Sequence, residues 1–198
     1  MHVQSFNDII VEMTKPNFNP RQIKVISGLG NPGPEYLETY HNIGMDYVTQ
    51  KVKRNIGVEF KSEKKWHFSH TKLEEREWVL CQTFMNESGI AIKAALKWFG
   101  VSPEELLIIH DDSDLMAGVV RVEYGRGAAG HNGVLSVIDT LGTEGFWRAR
   151  VGIRMDSENL PREKAETFVL KKISPPAREK IKLAFTELDD ALNQGDGK

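Results

Sequence analysis

Apolar and polar positions change period several times along the 198-residue chain, and each change predicts an element. Ile23 to Ser27 is a short apolar run with strand character that leads into glycine-rich Gly28 to Gly33. From Tyr36 to Ile56 the residues Tyr36, Tyr40, Ile43, Tyr47, Val48 and Val52 recur near helical spacing, so the local order is strand, loop, helix. Trp66 to His70 and Trp78 to Cys81 read as two strands joined by the charged turn Lys72 to Glu77. Ile90 to Phe99 is amphipathic with Gly100 as its stop, and Ser102-Pro103-Glu104-Glu105 is a capping box with proline at the first helical position, so helices are expected on both sides of that point. Leu106 to Ile109 reads as a buried strand ending at His110-Asp111-Asp112, Val119 to Tyr124 as another, and Asn132 to Leu141 as a helix closed by Gly142. Phe146 to Arg154 alternates, with Trp147, Ala149, Val151 and Ile153 on one face and Arg148, Arg150 and Arg154 on the other as a basic stripe. Ser174 to Leu192 reads as a capped helix, and Ser5 to Val11 as a turn or two of helix ahead of a proline-containing linker. Together these elements predict a mixed α/β sheet with helices on both faces.

Composition narrows the partners. A formal charge of −2 and a pI near 6.3 give no bulk attraction to nucleic acid, so a polyanion has to be held by a local basic patch. The single cysteine, Cys81, lies in an apolar strand and reads as a buried thiol, which suits a reducing cytoplasm and excludes a disulfide framework. No apolar run approaches the ~20 residues that a membrane helix needs, and residues 1–22 lack the pattern of a signal or transit peptide.

Gly28-Leu29-Gly30-Asn31-Pro32-Gly33 fits the glycine spacing of a dinucleotide turn, but Pro32 and Pro34 remove two N–H donors and the window about 20 residues on is basic and helical where the ribose acid belongs. A tight strand-to-helix turn explains the glycines as well. His41 follows in the helix lead-in. Asp111 is expected at the end of a buried strand, where open α/β sheets build their sites, and a carboxylate there can hold an imidazole in one tautomer and leave its other nitrogen free to accept a proton from water. The same His110-Asp111-Asp112-Ser113-Asp114 run is also compatible with a divalent metal or a plain acidic loop. Asn86 and Asn132 sit at loop-to-helix junctions, either as N-caps or as amides that hold a peptide backbone or an oxyanion. No GxSxG elbow is present and Cys81 sits in a strand, so a hydrolase built on this chain uses water directly.

The ordered set GLGNPGPEY, HNIG, TFMNESG, HDDSDL, GAAGHNG and FWRARVGI resembles the bacterial-type peptidyl-tRNA hydrolase family, over about Ile23 to Phe185. The resemblance implies a single-domain, three-layer α/β/α fold with a mixed, largely parallel sheet over 23–192, flanked by an extension and linker at 1–22 and a frayed tail at 193–198. It implies hydrolysis of the ester between a peptide and the 3′-terminal ribose of tRNA by a cytoplasmic, monomeric enzyme without metal or other cofactor. His41 would be the general base and Asp111 its orienting partner; Asn31, Asn86, His131 and Asn132 would line the cleft, with Tyr36 and Phe84 also binding substrate. Many relatives have a lysine where Glu123 stands, helping to clamp the tRNA 5′ phosphate beside the arginine matching Arg150; here Arg126 is the candidate substitute, with Arg148 beside it. A non-catalytic RNA-binding relative is the alternative within the same fold, and a nucleotide-dependent oxidoreductase lacks its ribose acid.

Overall fold

A computed structural model describes residues 11–13, 18–155 and 164–194. Its eight strands are β1 (Val11–Met13), β2 (Val25–Gly28), β3 (Lys61–Glu63), β4 (Phe68–Leu73), β5 (Arg76–Cys81), β6 (Leu106–Met116), β7 (Val120–Tyr124) and β8 (Trp147–Arg154). They form one sheet in the order β1-β7-β8-β6-β2-β5-β4-β3. The central pairs β8–β6, β6–β2 and β2–β5 are parallel, as is β1–β7; β7–β8, β5–β4 and β4–β3 are antiparallel. The helices are α1 (Ile43–Lys53), α2 (Ser88–Phe99), α3 (Asn132–Leu141), the single turn α4 (Ala165–Phe168) and α5 (Pro175–Asn193).

Strand parity decides which helices cover which face. Ile26, Leu107, Ile109, Ala149 and Val151 point to one side, where α1 brings Ile43, Tyr47 and Val48 and α5 brings Ile181, Ala184, Phe185 and Leu188. Val25, Val79, Leu106 and Ile108 point to the other, against Ala91, Ile92 and Leu96 of α2 and Val134 and Val137 of α3. The result is the three-layer α/β/α arrangement. The α1 layer sits unusually close to the sheet because two glycines meet there. A Cβ on Gly44 would lie 2.0 Å from the Ile109 carbonyl oxygen, and one on Gly28 would lie 2.0 Å from the Gly44 oxygen. The opening glycine loop is thus a packing device that seats the start of α1 on the end of β2 and the interior of β6.

Several boundaries differ from the sequence expectations. The long helix expected over 36–56 is broken into single 3-10 turns at Pro34–Tyr36 and Tyr40–Asn42 before α1, with Glu38 at φ 59° between them. Ser102 and Glu105 do form their box, the Glu105 carboxylate accepting from the Ser102 N–H at 3.2 Å and hydroxyl at 3.0 Å. What they cap is only the 3-10 turn Pro103–Glu105, because β6 begins at the next residue. Trp66 belongs to a turn before β4, and the β4–β5 hairpin is tighter than expected, with Leu73 paired to Arg76. Val11–Met13, in the stretch expected as extension and linker, pairs with β7 as an edge strand. Of the helix expected over residues 5–11, Val11 instead belongs to β1 and residues 5–10 lie outside the described residues; of the frayed tail expected over 193–198, Asn193 is still in α5 and residues 195–198 lie outside them. The caps of α3 and α5 fall where expected: Gly142 ends α3 in the left-handed region at φ 72°, and the Ser174 hydroxyl accepts from the Ala177 N–H.

The basic stripe on β8 is a correction. Arg148 and Arg150 alternate as the pattern requires, but they are 2% and 3% exposed. Register places Glu123 of β7 opposite Arg148 and Arg121 opposite Arg150, all on one face. Arg150 donates through Nε to Asp112 Oδ2 at 2.7 Å and through Nη1 to Glu123 Oε2 at 2.7 Å. Arg126 reaches the same Glu123 carboxylate at 3.2 Å from the loop side. Burial alone would raise Glu123, but the hydrogen bond and charge of Arg150, with Arg126 and Arg148 nearby, hold it below the usual carboxylate range. Alternation in sequence shows which side chains share a face; it does not show that carboxylates from β6 and β7 close over them.

Two measurements test this frame. Gly44→Ala should cost about 3 kcal/mol or more, since the new methyl overlaps backbone that cannot yield cheaply, and so lower the thermal midpoint by roughly 6–12 °C; an unchanged midpoint would mean that the close approach is not needed. Glu123→Lys should cost about 3–5 kcal/mol by leaving Arg150 half-paired among other cations, whereas Arg126→Ala, at a half-exposed partner, should cost under about 1 kcal/mol. Equal midpoints for the two variants would contradict the buried network.

Candidate active site

β2 ends at Gly28, opposite Ile109, while β6 continues as an 11-residue strand, so Asp111 stands beyond the end of its neighbour and beside an open crevice. The sequence reading put Asp111 at a strand end; it lies inside β6, at the end of the β2 pairing. The Tyr40–Asn42 turn, seated by Gly44, delivers His41 to that crevice, and His41 Nδ1 lies 2.9 Å from Asp111 Oδ1. His131 Nε2 lies 3.0 Å from the same oxygen. The hydrogen-bond partners fix both tautomers. His131 Nδ1 accepts the Val134 N–H at 3.2 Å as the N-cap of α3, so the proton is on Nε2 and is donated to Asp111. An ionised Asp111 only accepts, so His41 donates from Nδ1 and its Nε2 carries the lone pair toward the cleft that His41 lines.

Charge follows this geometry. Burial opposes the His41 imidazolium, but the Asp111 charge and hydrogen bond together outweigh it and raise His41 above 6.5. Burial alone would raise Asp111, yet His131 and His41 hold it well below the usual carboxylate range. His110 is pushed well below 6.5, first by burial and then by His131 and Arg148; its Nδ1 donates to the Asp111 carbonyl oxygen at 2.7 Å and its Nε2 has no protein partner.

Asn31 is buried and braced by a neighbour that the sequence reading passed over. The Asn31 N–H donates to Asn42 Oδ1 at 2.8 Å, and Asn42 Nδ2 donates back to the Asn31 carbonyl at 2.9 Å. Asn31 Oδ1 accepts the Met85 N–H at 2.8 Å, which leaves its NH2 group as the end available to a ligand. Asn86 and Asn132 are exposed and line the same cleft with Tyr36, His41, Met85, Glu166, Val169 and Leu170. Neither is an N-cap: His131 takes that role for α3, and the turn before α2 starts at Phe84 without a side-chain cap. Phe84 stands at the rim, half exposed, in edge contact with Tyr36 at 6.3 Å between ring centres.

Arg148 and Arg150 lie at the inner end of the crevice, lining it with His110 and Asp112. Arg148 donates to the Gly127 carbonyl at 3.1 Å, and burial together with Arg150 pulls its guanidinium down to about 10. Arg126 lies outside the crevice lining, on Glu123. The segment carrying Glu166, Val169 and Leu170 has no motif to mark it. It reaches the site because the His41 N–H donates to the Val169 carbonyl at 2.8 Å and the Tyr40 N–H to the Lys171 carbonyl at 3.2 Å. Asn42 carried a possible signal in its place next to His41.

Among the described residues, one group of potential metal ligands comes together, His41, Asp111 and His131, with ligand atoms within 4.8 Å of one another. Both ring nitrogens already aim protons at one oxygen, which is the arrangement of a hydrogen-bonded relay. The acidic run does not assemble, since Asp112 turns to Arg150 and accepts the Asp114 N–H at 2.7 Å. No described helix is long and apolar enough to cross a membrane.

Comparison with known proteins agrees with this geometry. The sequence profile of the family described as Peptidyl-tRNA hydrolase matches residues 25–195. The chain is 37% identical over 174 residues to a peptidyl-tRNA hydrolase of Nitrosospira multiformis, covering 86% of this chain and 87% of the relative. It is likewise 37% identical over 181 residues to one from Synechococcus sp., covering 88% and 85%. Among solved structures, a peptidyl-tRNA hydrolase in complex with N-propanol superposes with a TM-score of 0.78 at 30% identity, covering 91% of each chain. The peptidyl-tRNA hydrolase of Acinetobacter baumannii does so with a TM-score of 0.73 at 30% identity, covering 89% of this chain and 95% of that one. The six ordered motifs, the fold that brings them to one crevice and these matches lead to one conclusion: the chain belongs to the peptidyl-tRNA hydrolase family.

Proposed function

We propose that this protein hydrolyses the ester between peptide and tRNA in peptidyl-tRNA, releasing free peptide and tRNA, with His41 as general base on water. The observation that carries the reading is the His41–Asp111 hydrogen bond of 2.9 Å, which fixes the Nδ1–H tautomer and turns Nε2 to the cleft. Nε2 takes a proton from water as the oxygen attacks the ester carbonyl, and the resulting imidazolium gives that proton to the departing ribose oxygen. The Asn31 NH2 group, whose carbonyl end is tied to Met85, donates to the developing oxyanion. Asn86 and Asn132 hold the peptide backbone and the attacking water, with Tyr36 and Phe84 against the substrate. Water serves as nucleophile because the one thiol, Cys81, is buried and pushed up to about 12 by that burial. A reducing cytoplasm suits that free thiol, and a monomeric enzyme fits a cleft in which the described residues of one chain bring His41, Asp111, Asn31, Asn86 and Asn132 together.

Arg148 and Arg150 contribute to substrate binding from the inner end of the crevice, chiefly by anchoring the loop that carries His131 and Asn132. The carboxylates of Asp112 and Glu123 leave Arg150 poorly placed for a phosphate clamp, and Arg126 is the one of the three arginines with a half-exposed side chain.

His41→Ala should lower turnover of an N-acylated aminoacyl-tRNA about 10²- to 10⁴-fold with little change in tRNA affinity. For the wild type, kcat/KM should rise with pH through a midpoint above 6.5, because the base must be neutral and Asp111 raises it. Asp111→Asn should move that midpoint down, since burial then acts unopposed. Linkage runs the other way for stability: the His41 contribution is fully present below 6.5 and is lost as pH rises through the elevated folded value. A pH-independent rate, or near-full turnover in His41→Ala, would end this mechanism, and tRNA retention without any acyl release would make the protein a binding module.

Asn86→Ala and Asn132→Ala should lower the rate while leaving the thermal midpoint nearly unchanged, because neither amide caps a helix. A lowered midpoint with intact kinetics, the signature of a lost cap worth about 1 kcal/mol, would remove them from the cleft machinery.

A further inference from the structure

The net charge of −2 demands a local patch for any polyanion, and on β8 Arg150 is buried against two carboxylates while the buried Arg148 is held by the Gly127 carbonyl. A different surface has the required character. Trp66, in the Lys64–Trp66 turn, and Trp98, near the end of α2, are 37% and 48% exposed and meet edge to face at 6.2 Å between ring centres. With Ala94 and Lys97 they form a shallow apolar groove. Phe68, fully buried, packs against Trp98 at 6.1 Å and ties the pair to the core, so the indoles are held as a fixed platform. Around them Lys61, Lys64, Lys65, Lys93 and Lys97 are all exposed. Lys65 Nζ lies 5.6 Å from the centre of the Trp66 ring, and Lys93 donates to the Thr140 carbonyl. No carboxylate pairs with these lysines among the described residues, and Glu63, the acid within the stretch, faces His70 at 3.8 Å.

We propose that Trp66, Trp98 and the surrounding lysines form a docking surface for unpaired RNA, a base stacking on an exposed indole face while Lys64, Lys65 and Lys97 meet the flanking phosphates. Aromatic faces among unpaired cations are the chemistry of single-strand recognition. An apolar polypeptide would use the indoles but gain nothing from the lysines. The Trp66 turn lies at the end of the sheet where β5 leads on to the cleft residue Met85. The His67 carbonyl accepts the Gln82 N–H at 2.8 Å, and Met85 lies three positions after Gln82, a span of at most about 11 Å. An RNA long enough to follow this edge would engage both places. The choice of RNA rests on the reading of the cleft as a peptidyl-tRNA hydrolase site.

The test uses the full chain and a single-stranded octanucleotide RNA. Binding should quench indole emission, since Trp66 and Trp98 are exposed while Trp78 and Trp147 are 0% and 7% exposed. The double variant Trp66→Leu, Trp98→Leu keeps apolar bulk and should weaken binding of a labelled oligonucleotide about 5- to 100-fold. The triple variant Lys64→Gln, Lys65→Gln, Lys97→Gln should flatten the log–log salt dependence by about two units between roughly 50 and 200 mM salt. Both variants should keep the wild-type kcat and raise KM for peptidyl-tRNA. Unchanged emission with RNA at low salt overturns the proposal, as does binding that survives both variants. An apolar peptide that fills the groove and is not displaced by RNA overturns it too, and assigns the surface to a polypeptide. Oligonucleotide binding requires no ester cleavage, so quenching without any acyl release would sink the proposed function and leave this surface standing.

Discussion

A single carboxylate oxygen organises the site. Asp111 Oδ1 accepts from His41 at 2.9 Å and from His131 at 3.0 Å, and much else in the fold serves to bring those three groups together. The segments involved are distant in sequence: the turn before α1, the middle of β6 and the start of α3. Each is positioned by backbone more than by side-chain packing. Gly28 and Gly44 let α1 sit on the sheet, β6 outruns β2 so that Asp111 clears its neighbour, and the α3 N-terminus turns the His131 ring. A misplacement of about 1 Å in any of them would take one of these contacts out of hydrogen-bonding range and leave the tautomer of a ring unfixed.

The charged face of β7 and β8 shows how burial can reverse the reading of a charge pattern. Arginines on an alternating strand look like a nucleic-acid surface. Here Asp112 and Glu123, from the flanking strands, turn them into a buried lattice in which Arg150 holds two carboxylates at 2.7 Å. Arg148 in turn holds the Gly127 carbonyl. The lattice supports the glycine-rich loop from beneath, and that loop ends at His131. Electrostatics on this face is therefore architecture for the site, and a group of exposed lysines without carboxylate partners among the described residues lies elsewhere, on α2 and the turn before β4.

Much of this was legible in the chain. Parity and period located β2, β5, β7, α2, α3 and α5, and the ordered motifs named His41, Asp111, Asn31, Asn86, His131 and Asn132, which the fold gathers around one crevice. What escaped was fixed by contacts between distant segments. The capping box at Ser102 is real, but only the demand of β6 for its place in the sheet shortens the element to one turn. Asn42 carries no periodic signal; its importance lies in a pair of hydrogen bonds to Asn31 across the loop. Glu166, Val169 and Leu170 belong to a motif-free segment brought in by backbone pairing to His41 and Tyr40.

The cap that His131 provides for α3 has a consequence for where protons can travel. Its Nδ1 is committed to the Val134 N–H, so the ring offers Asp111 a donor and has no vacant lone pair of its own. A proton arriving through Asp111 could be stored on His131 only by ejecting that N–H and uncapping the helix. The second imidazole is thus a wall, closing the relay on its inner side. Whatever proton His41 collects has one inexpensive exit, back through Nε2 into the cleft, toward the oxygen that must leave.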